Sequence, residues 1–334
     1  MMGFASTSSQ VRPPSFIECK EHSAKLINPT ITTALKENIR TLQKPVSDLP
    51  SWVGTFCPDI YEHYYKVPYL ATYLPQRPLG TLSFTDNAPL PIMTSSLGAK
   101  STCLLKLLVE MCEGEGIEVM IYAGGQLGAM LHGGPMPWDD DIDVAIEYRH
   151  REKFEELCGE TVAGGEVRLG CFRAWNAWKV FKGKGEDDRT HWKHDGYNSP
   201  YIDVYFVEER FYWRHPFTRY IREVRPDGET TGEQQFRVDD FYPVEDYYYG
   251  GMKLKGPGRA VALRYDLSRC FAGGYNHRLE AFFADAVDKE ELEINCCAMY
   301  EVGYPFVKED GKTLTYRIRN KLGTMERYDV RVGL

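Results

Sequence analysis

Four aspartates fall within five positions of this chain, at Asp139, Asp140, Asp141 and Asp143, and that density of like charge limits what can be built around it. Crowded carboxylates repel and raise one another's pKa unless a cation compensates them. A hard divalent ion bound through oxygen is the usual compensator. The alternation from Asp141 through Ile142, Asp143 and Val144 to Ile146 predicts a strand, with Asp141 and Asp143 on one face and Ile142, Val144 and Ile146 on the other. Two residues of strand set the two aspartate Cα atoms roughly 6.6 Å apart, which suits joint ligation of one ion or a pair of ions about 4 Å apart. A calcium loop of the EF-hand kind would use Asp139, Asp141 and Asp143 as its first, third and fifth positions. It then fails, because Val144 holds the sixth, where glycine makes the turn, and His150 the twelfth, where a bidentate Glu is needed. A solvated acidic loop accounts for the charge alone. It leaves the apolar residues between the aspartates and the glycines upstream unexplained.

Those glycines follow an apolar run from Val119 to Ala123 that predicts a strand. It breaks at Gly124-Gly125, after which Leu127, Met130 and Leu131 take helical spacing, with Gly128 between them. A strand, a glycine turn and a helix start make a phosphate cradle, since N–H groups at a helix N-terminus attract anions and glycine admits a ligand close to the main chain. Neither GxxxxGK[ST] nor a complete GxGxxG is present, which excludes the P-loop and the dinucleotide fingerprint.

Taken together, Gly124-Gly125-Gln126-Leu127-Gly128-Ala129, His132 and Pro137-Trp138-Asp139-Asp140-Asp141-Ile142-Asp143 resemble the core motif of the LicD family, which includes bacterial phosphocholine transferases and eukaryotic fukutin-related proteins. The spacing from Gly124 to Asp141 is also similar to that of the nucleotidyltransferase superfamily. That resemblance implies a third carboxylate on a later strand, and Tyr201-Ile202-Asp203-Val204-Tyr205-Phe206 supplies Asp203 in alternating context. The likeness covers about residues 100 to 270. It departs from the family at Leu131, where an Arg is usual before the His, and at Gly124-Gly125, where Gly-Thr is usual. In the run Trp175–Phe181, Lys179 is the substitute phosphate contact, with Arg173 and Arg149 behind it.

The fold expected is α/β, in its α+β variant: a nucleotidyltransferase-like, short, mixed, twisted sheet carrying Asp141, Asp143 and Asp203 and flanked by helices. The resemblance implies transfer of a phospho-alcohol, phosphocholine or ribitol phosphate in type, from a CDP-activated donor to a hydroxyl of a glycan or other small acceptor. A divalent metal, Mg²⁺ or Mn²⁺, would be held by Asp141, Asp143 and Asp203. Asp139 or Asp140 would be the base; Gly124, Gly125, Gly128, His132, Trp138 and Lys179 would contact substrate. Two other readings stay open: a nucleotidyltransferase that releases pyrophosphate, and a non-catalytic relative that binds a nucleotide or glycan. If three carboxylates simply repel one another in the metal-free protein, replacing any of them with Asn should leave its stability unchanged or slightly higher.

The 334 residues suffice for one large domain or two small ones. Forty basic against 48 acidic residues give a formal charge of −8, opposite to the basic footprint of a nucleic-acid binder. The 22 Tyr and 6 Trp suit stacking on a base or sugar ring as well as core packing. Residues 1–95 are rich in proline and read as an irregular arm packed on a catalytic domain over 96–334. Nine cysteines without CxxC spacing favour a reduced compartment. No stretch approaches the roughly 18 apolar residues of a membrane helix. The expected setting is cytoplasmic as the sequence stands, or the Golgi or secretory lumen if an N-terminal anchor is missing from this form. A helix is expected over Ser101–Glu113, another over Arg149–Cys158, a hairpin over Val167–Phe181, a polar lid over Gly183–Pro200 and a helix around Leu279–Leu292.

Overall fold

The computed structural model describes residues 51–66, residues 95–258 apart from short gaps at 137–138, 140, 160, 163–164, 166, 184–192, 195–196 and 213–214, and a few short strands beyond. Two helices, α1 (Ser51–Phe56) and α2 (Pro58–Lys66), precede the long α3 (Ser95–Gly114). Strand β1 (Met120–Ile121) then leads through Tyr122 into α4 (Ala123–His132), and β2 (Ile142–Glu147) into a single 3₁₀ turn and α5 (Arg151–Leu157). The sheet continues with β3 (Thr161–Val162), β4 (Val167–Arg173) and β5 (Trp178–Lys182); after the small β6 (Lys193–His194) and β7 (Tyr197–Asn198) come β8 (Tyr201–Tyr212), β9 (His215–Val224) and β10 (Thr230–Arg237). A four-residue helix, α6 (Val238–Phe241), and the hairpin of β11 (Glu245–Tyr249) and β12 (Met252–Gly256) follow.

Ten of these strands form one sheet in the order β11-β12-β1-β2-β8-β5-β4-β3, with β9 on β8 and β10 on β9. It is mixed, because β1 runs parallel to β12 and β2 parallel to β8 while the other pairs are antiparallel. The α/β class and mixed sheet are as expected, although the sheet is wider than the short one anticipated. The helix over Arg149–Cys158 appears as the 3₁₀ turn and α5, and the hairpin over Val167–Phe181 as β4 and β5. At the distal end Ala281–Phe282 pairs as a strand with Tyr275–Asn276. That pairing displaces the helix expected there, whose other positions lie outside the described residues.

Alternation along β2 and β8 gives the two faces different jobs. Ile142, Val144 and Ile146 on β2 and Ile202, Val204 and Phe206 on β8 are fully or almost fully buried, in one cluster with Leu104, Leu105 and Leu108 of α3, Leu127 of α4 and Phe154 of α5. A fully buried aliphatic or Phe side chain stabilises by about 1.5–3 kcal/mol relative to exposure, so this face fastens the two strands in register. Their opposite face carries the aspartates and, further along, a second cluster of Met120, Tyr122, Ala145, Val207, Ile221 and Phe241.

Residues 51–66 are held to this core rather than lying apart from it. Val53, Cys57, Ile60 and Tyr64 are wholly buried, and the Tyr64 hydroxyl shares a 2.7 Å hydrogen bond with Thr102 of α3. A disulfide joins Cys57 to Cys103, and another joins Cys158 to Cys171. The expectation that the cysteines are reduced is therefore corrected for these four. Neither pair could be read from spacing, since their partners lie 46 and 13 residues apart and meet only through the tertiary fold. Cys112, buried in the same core, stays a thiol whose pKa burial pushes up to about 12. Among the described residues no helix is long and apolar enough to cross a membrane.

The Cys57–Cys103 bond closes a loop spanning 46 positions, for which chain entropy predicts about 4 kcal/mol at 25 °C. Replacing both cysteines with alanine should lower unfolding free energy by about 2–4 kcal/mol in denaturant titrations. Identical midpoints for variant and wild type would show that the bridge contributes nothing.

Candidate metal centre

The parallel register of β2 and β8 sets Asp143 beside Asp203 and Ile142 beside Ile202. On the other side of β8, antiparallel β5 places Lys179 opposite Asp203. Side chains paired in register share a face, so three adjacent strands deliver Asp143, Asp203 and Lys179 to one spot. Asp141, two residues before Asp143, joins them at the mouth of β2. One oxygen from each of Asp141, Asp143 and Asp203 lies within 4.8 Å of the other two. Asp203 is fully buried, Asp141 nearly so and Asp143 partly. Like charges about 5 Å apart repel by roughly 3 kcal/mol per pair at an effective dielectric constant of about 20. Summed over three pairs, that is comparable to the whole stability of an ordinary domain.

Lys179 answers part of this. Its Nζ donates to both Oδ1 and Oδ2 of Asp203 at 2.6 Å, with the two side chains only 6% and 1% exposed. The ammonium also lies 4.6 Å from the ring centre of Tyr201 and 5.5 Å from that of Tyr197, where the aromatic quadrupole favours a cation. Burial by itself pulls lysine toward its neutral form, but the charges of Asp203 and Asp141 and the bond to Asp203 together outweigh it. The pKa of Lys179 therefore sits above its ordinary value. Two positions beyond Asp203 on the same face, Tyr205 is held protonated well above the usual tyrosine range by burial and then by the charges of Asp143, Asp203, Asp141 and Glu223.

The glycine turn packs against the aspartates. Ala123 opens α4 with φ of 40°, the one non-glycine residue at positive φ among those described, and the next amide, that of Gly124, donates to Asp143 Oδ2 at 2.9 Å. A Cβ on Gly124 would stand 2.8 Å from Asp143 Oδ2 and 3.1 Å from Asp139 Oδ2, which also places the buried Asp139 carboxylate at this corner. A Cβ on Gly125 would meet the Asp143 carbonyl oxygen at 2.5 Å, and one on Gly128 the Gly134 carbonyl oxygen at 2.4 Å. Both contacts are with backbone, so glycine is what lets α4 lie this close to β2 and to the loop that returns along it.

The structure thus gathers Asp139, Asp141, Asp143, Asp203, Gly124 and Lys179. His132 is wholly buried at the far end of α4, eight residues and about 12 Å of helix from Gly124. Asp140, Trp138 and most of the expected lid lie outside the described residues. Tyr201 and Tyr205 were missed as neighbours of the site, although their placement two residues either side of Asp203 in an alternating strand puts them on its face.

Residues 116–259 match the family described as LicD/FKTN/FKRP, nucleotidyltransferase domain. That span contains every element of the site. No curated protein matches the chain.

The Lys179 pair revises the expectation that the three aspartates behave alike. Asp141→Asn and Asp143→Asn each remove repulsion, so the metal-free protein should melt at the wild-type temperature or above it. Asp203→Asn instead strands a buried ammonium and should cost about 3 kcal/mol. A raised lysine pKa means that the pair's contribution is full below the ordinary lysine pKa and lost only as pH climbs through the raised one, so melts at neutral pH report it. An Asp203→Asn protein that melts with Asp143→Asn would contradict the pairing.

Proposed function

From a chain that carries a LicD-family nucleotidyltransferase domain over residues 116–259, we propose a metal-dependent transferase. It moves a phospho-alcohol, of the phosphocholine or ribitol phosphate type, from a CDP-activated donor to a hydroxyl of a glycan or related acceptor. The observation that carries this reading is the convergence of Asp141, Asp143 and Asp203 within 4.8 Å beside the Gly124 turn. Every donor in that set is a carboxylate oxygen, as a hard ion such as Mg²⁺ or Mn²⁺ requires. When bound, such an ion neutralises the donor diphosphate and the leaving CMP.

The chain's own residues do the rest. Asp141, Asp143 and Asp203 hold the ion. Lys179, bound to both oxygens of Asp203, supplies positive charge beside the donor phosphates, the charge that the family Arg replaced by Leu131 would carry. Gly124, Gly125 and Gly128 keep the wall beside the phosphates thin, and His132 and Trp138 are further substrate contacts in this reading. Asp139, whose carboxylate lies beside Gly124 and Asp143, takes the proton of the acceptor hydroxyl, a role for which Asp140 is the alternative. The division into an arm over 1–95 and a catalytic domain over 96–334 goes with this reading. So does a setting in the secretory lumen, because disulfides such as Cys57–Cys103 and Cys158–Cys171 persist in oxidising compartments.

Incubation of the purified protein with a panel of CDP-alcohols and free NTPs, with and without Mn²⁺, tests the proposal. Release of CMP from a CDP-alcohol, abolished by chelation and by Asp143→Asn, is the expected result. Pyrophosphate from an NTP with no CMP from any CDP-alcohol would instead establish nucleotidyl transfer, and inertness toward every donor a binding role.

A further inference from the structure

Lys179 occupies an unusual place for a substrate contact. Its ammonium is almost fully buried, gripped by both oxygens of Asp203 and lying over Tyr201 and Tyr197. We propose that Lys179 is a positioning residue, the resident counter-ion of the triad: acting through Asp203, it opposes ion binding and biases the site toward divalent over trivalent cations. The inference rests on the metal reading above and deepens it.

Lys179 offsets one of the negative charges that the aspartates bring to the site. Lys179 repels an incoming cation in proportion to that cation's charge, so its presence weakens a trivalent ion more than a divalent one. It also holds Asp203 at both oxygens, so a cation at that carboxylate uses the remaining lone pairs with the ammonium close by. Asp141 and Asp143 do not pair in register with Lys179. The fixed ammonium keeps Asp203 in place on β8 meanwhile.

A merely structural lysine would leave ion selectivity untouched. The test measures Mn²⁺ binding by electron paramagnetic resonance and Tb³⁺ binding by sensitised luminescence, using the full chain as wild type, Lys179→Met and Lys179→Arg. Lys179→Met should bind Mn²⁺ at least tenfold more tightly than wild type and gain still more for Tb³⁺, while Lys179→Arg, which keeps the charge, should stay closer to wild type than Lys179→Met for both. Should Lys179→Met fail to fold, Asp203→Asn is compared with the double variant Asp203→Asn/Lys179→Met, which buries no lone ammonium. The double variant should then bind Mn²⁺ at least tenfold more tightly than the single one. Unchanged affinity on loss of the lysine, or an unchanged Tb³⁺ to Mn²⁺ ratio, overturns the proposal while leaving the metal site standing. A wild type that binds neither ion is a different failure: it removes the metal reading and this inference with it.

Discussion

Mutual repulsion among carboxylates on neighbouring central strands is the constraint around which this domain is arranged. Parallel pairing of β2 with β8 sets Asp143 against Asp203, and such a register survives only if other interactions outweigh it. The reverse face of the same two strands supplies them, with Ile142, Val144, Ile146, Ile202, Val204 and Phe206 buried under α3, α4 and α5. The period of two that brings the acids together is the one that buries those apolar side chains. A one-residue slip would put the aspartates into the core, so register and site stand or fall together.

The repulsion that remains is divided among partners of different kinds. Lys179 takes Asp203 directly, and the Gly124 amide takes Asp143. That amide reaches Asp143 because Gly125 lets α4 lie against the β2 backbone and because Ala123 holds a positive φ. Backbone held in a sparsely populated conformation beside a functional cluster fits a site in which geometry takes precedence over local comfort. Tyr205, kept protonated by its burial and then by the surrounding acids, remains a neutral hydroxyl on the same face.

Much of this was legible in the sequence, because it follows from short-range periodicity. Alternation around Asp141 and Asp143 placed them on one face, and the break at Gly124-Gly125 marked the start of α4; the third acid, Asp203, came from what the family resemblance implied, with alternation only supporting it. Lys179 was visible only as a cation in an aromatic strand. Its partner was not, since the β5 to β8 register depends on a hairpin and a long intervening connection. The disulfides were hidden for a similar reason: Cys57 meets Cys103 only when α1 and α2 dock on α3. His132 stands close to the motif in sequence, and a helix of 10 residues sets it at the opposite end of α4 from Gly124.

The most direct test of the account is where a divalent ion sits. A crystal of the protein soaked in Mn²⁺ and measured for anomalous scattering should show a peak bounded by oxygens of Asp141, Asp143 and Asp203, at the roughly 2 Å distances typical of small divalent ions. A well-ordered crystal with the triad empty, Lys179 still on Asp203 and the anomalous signal elsewhere or absent, would contradict it.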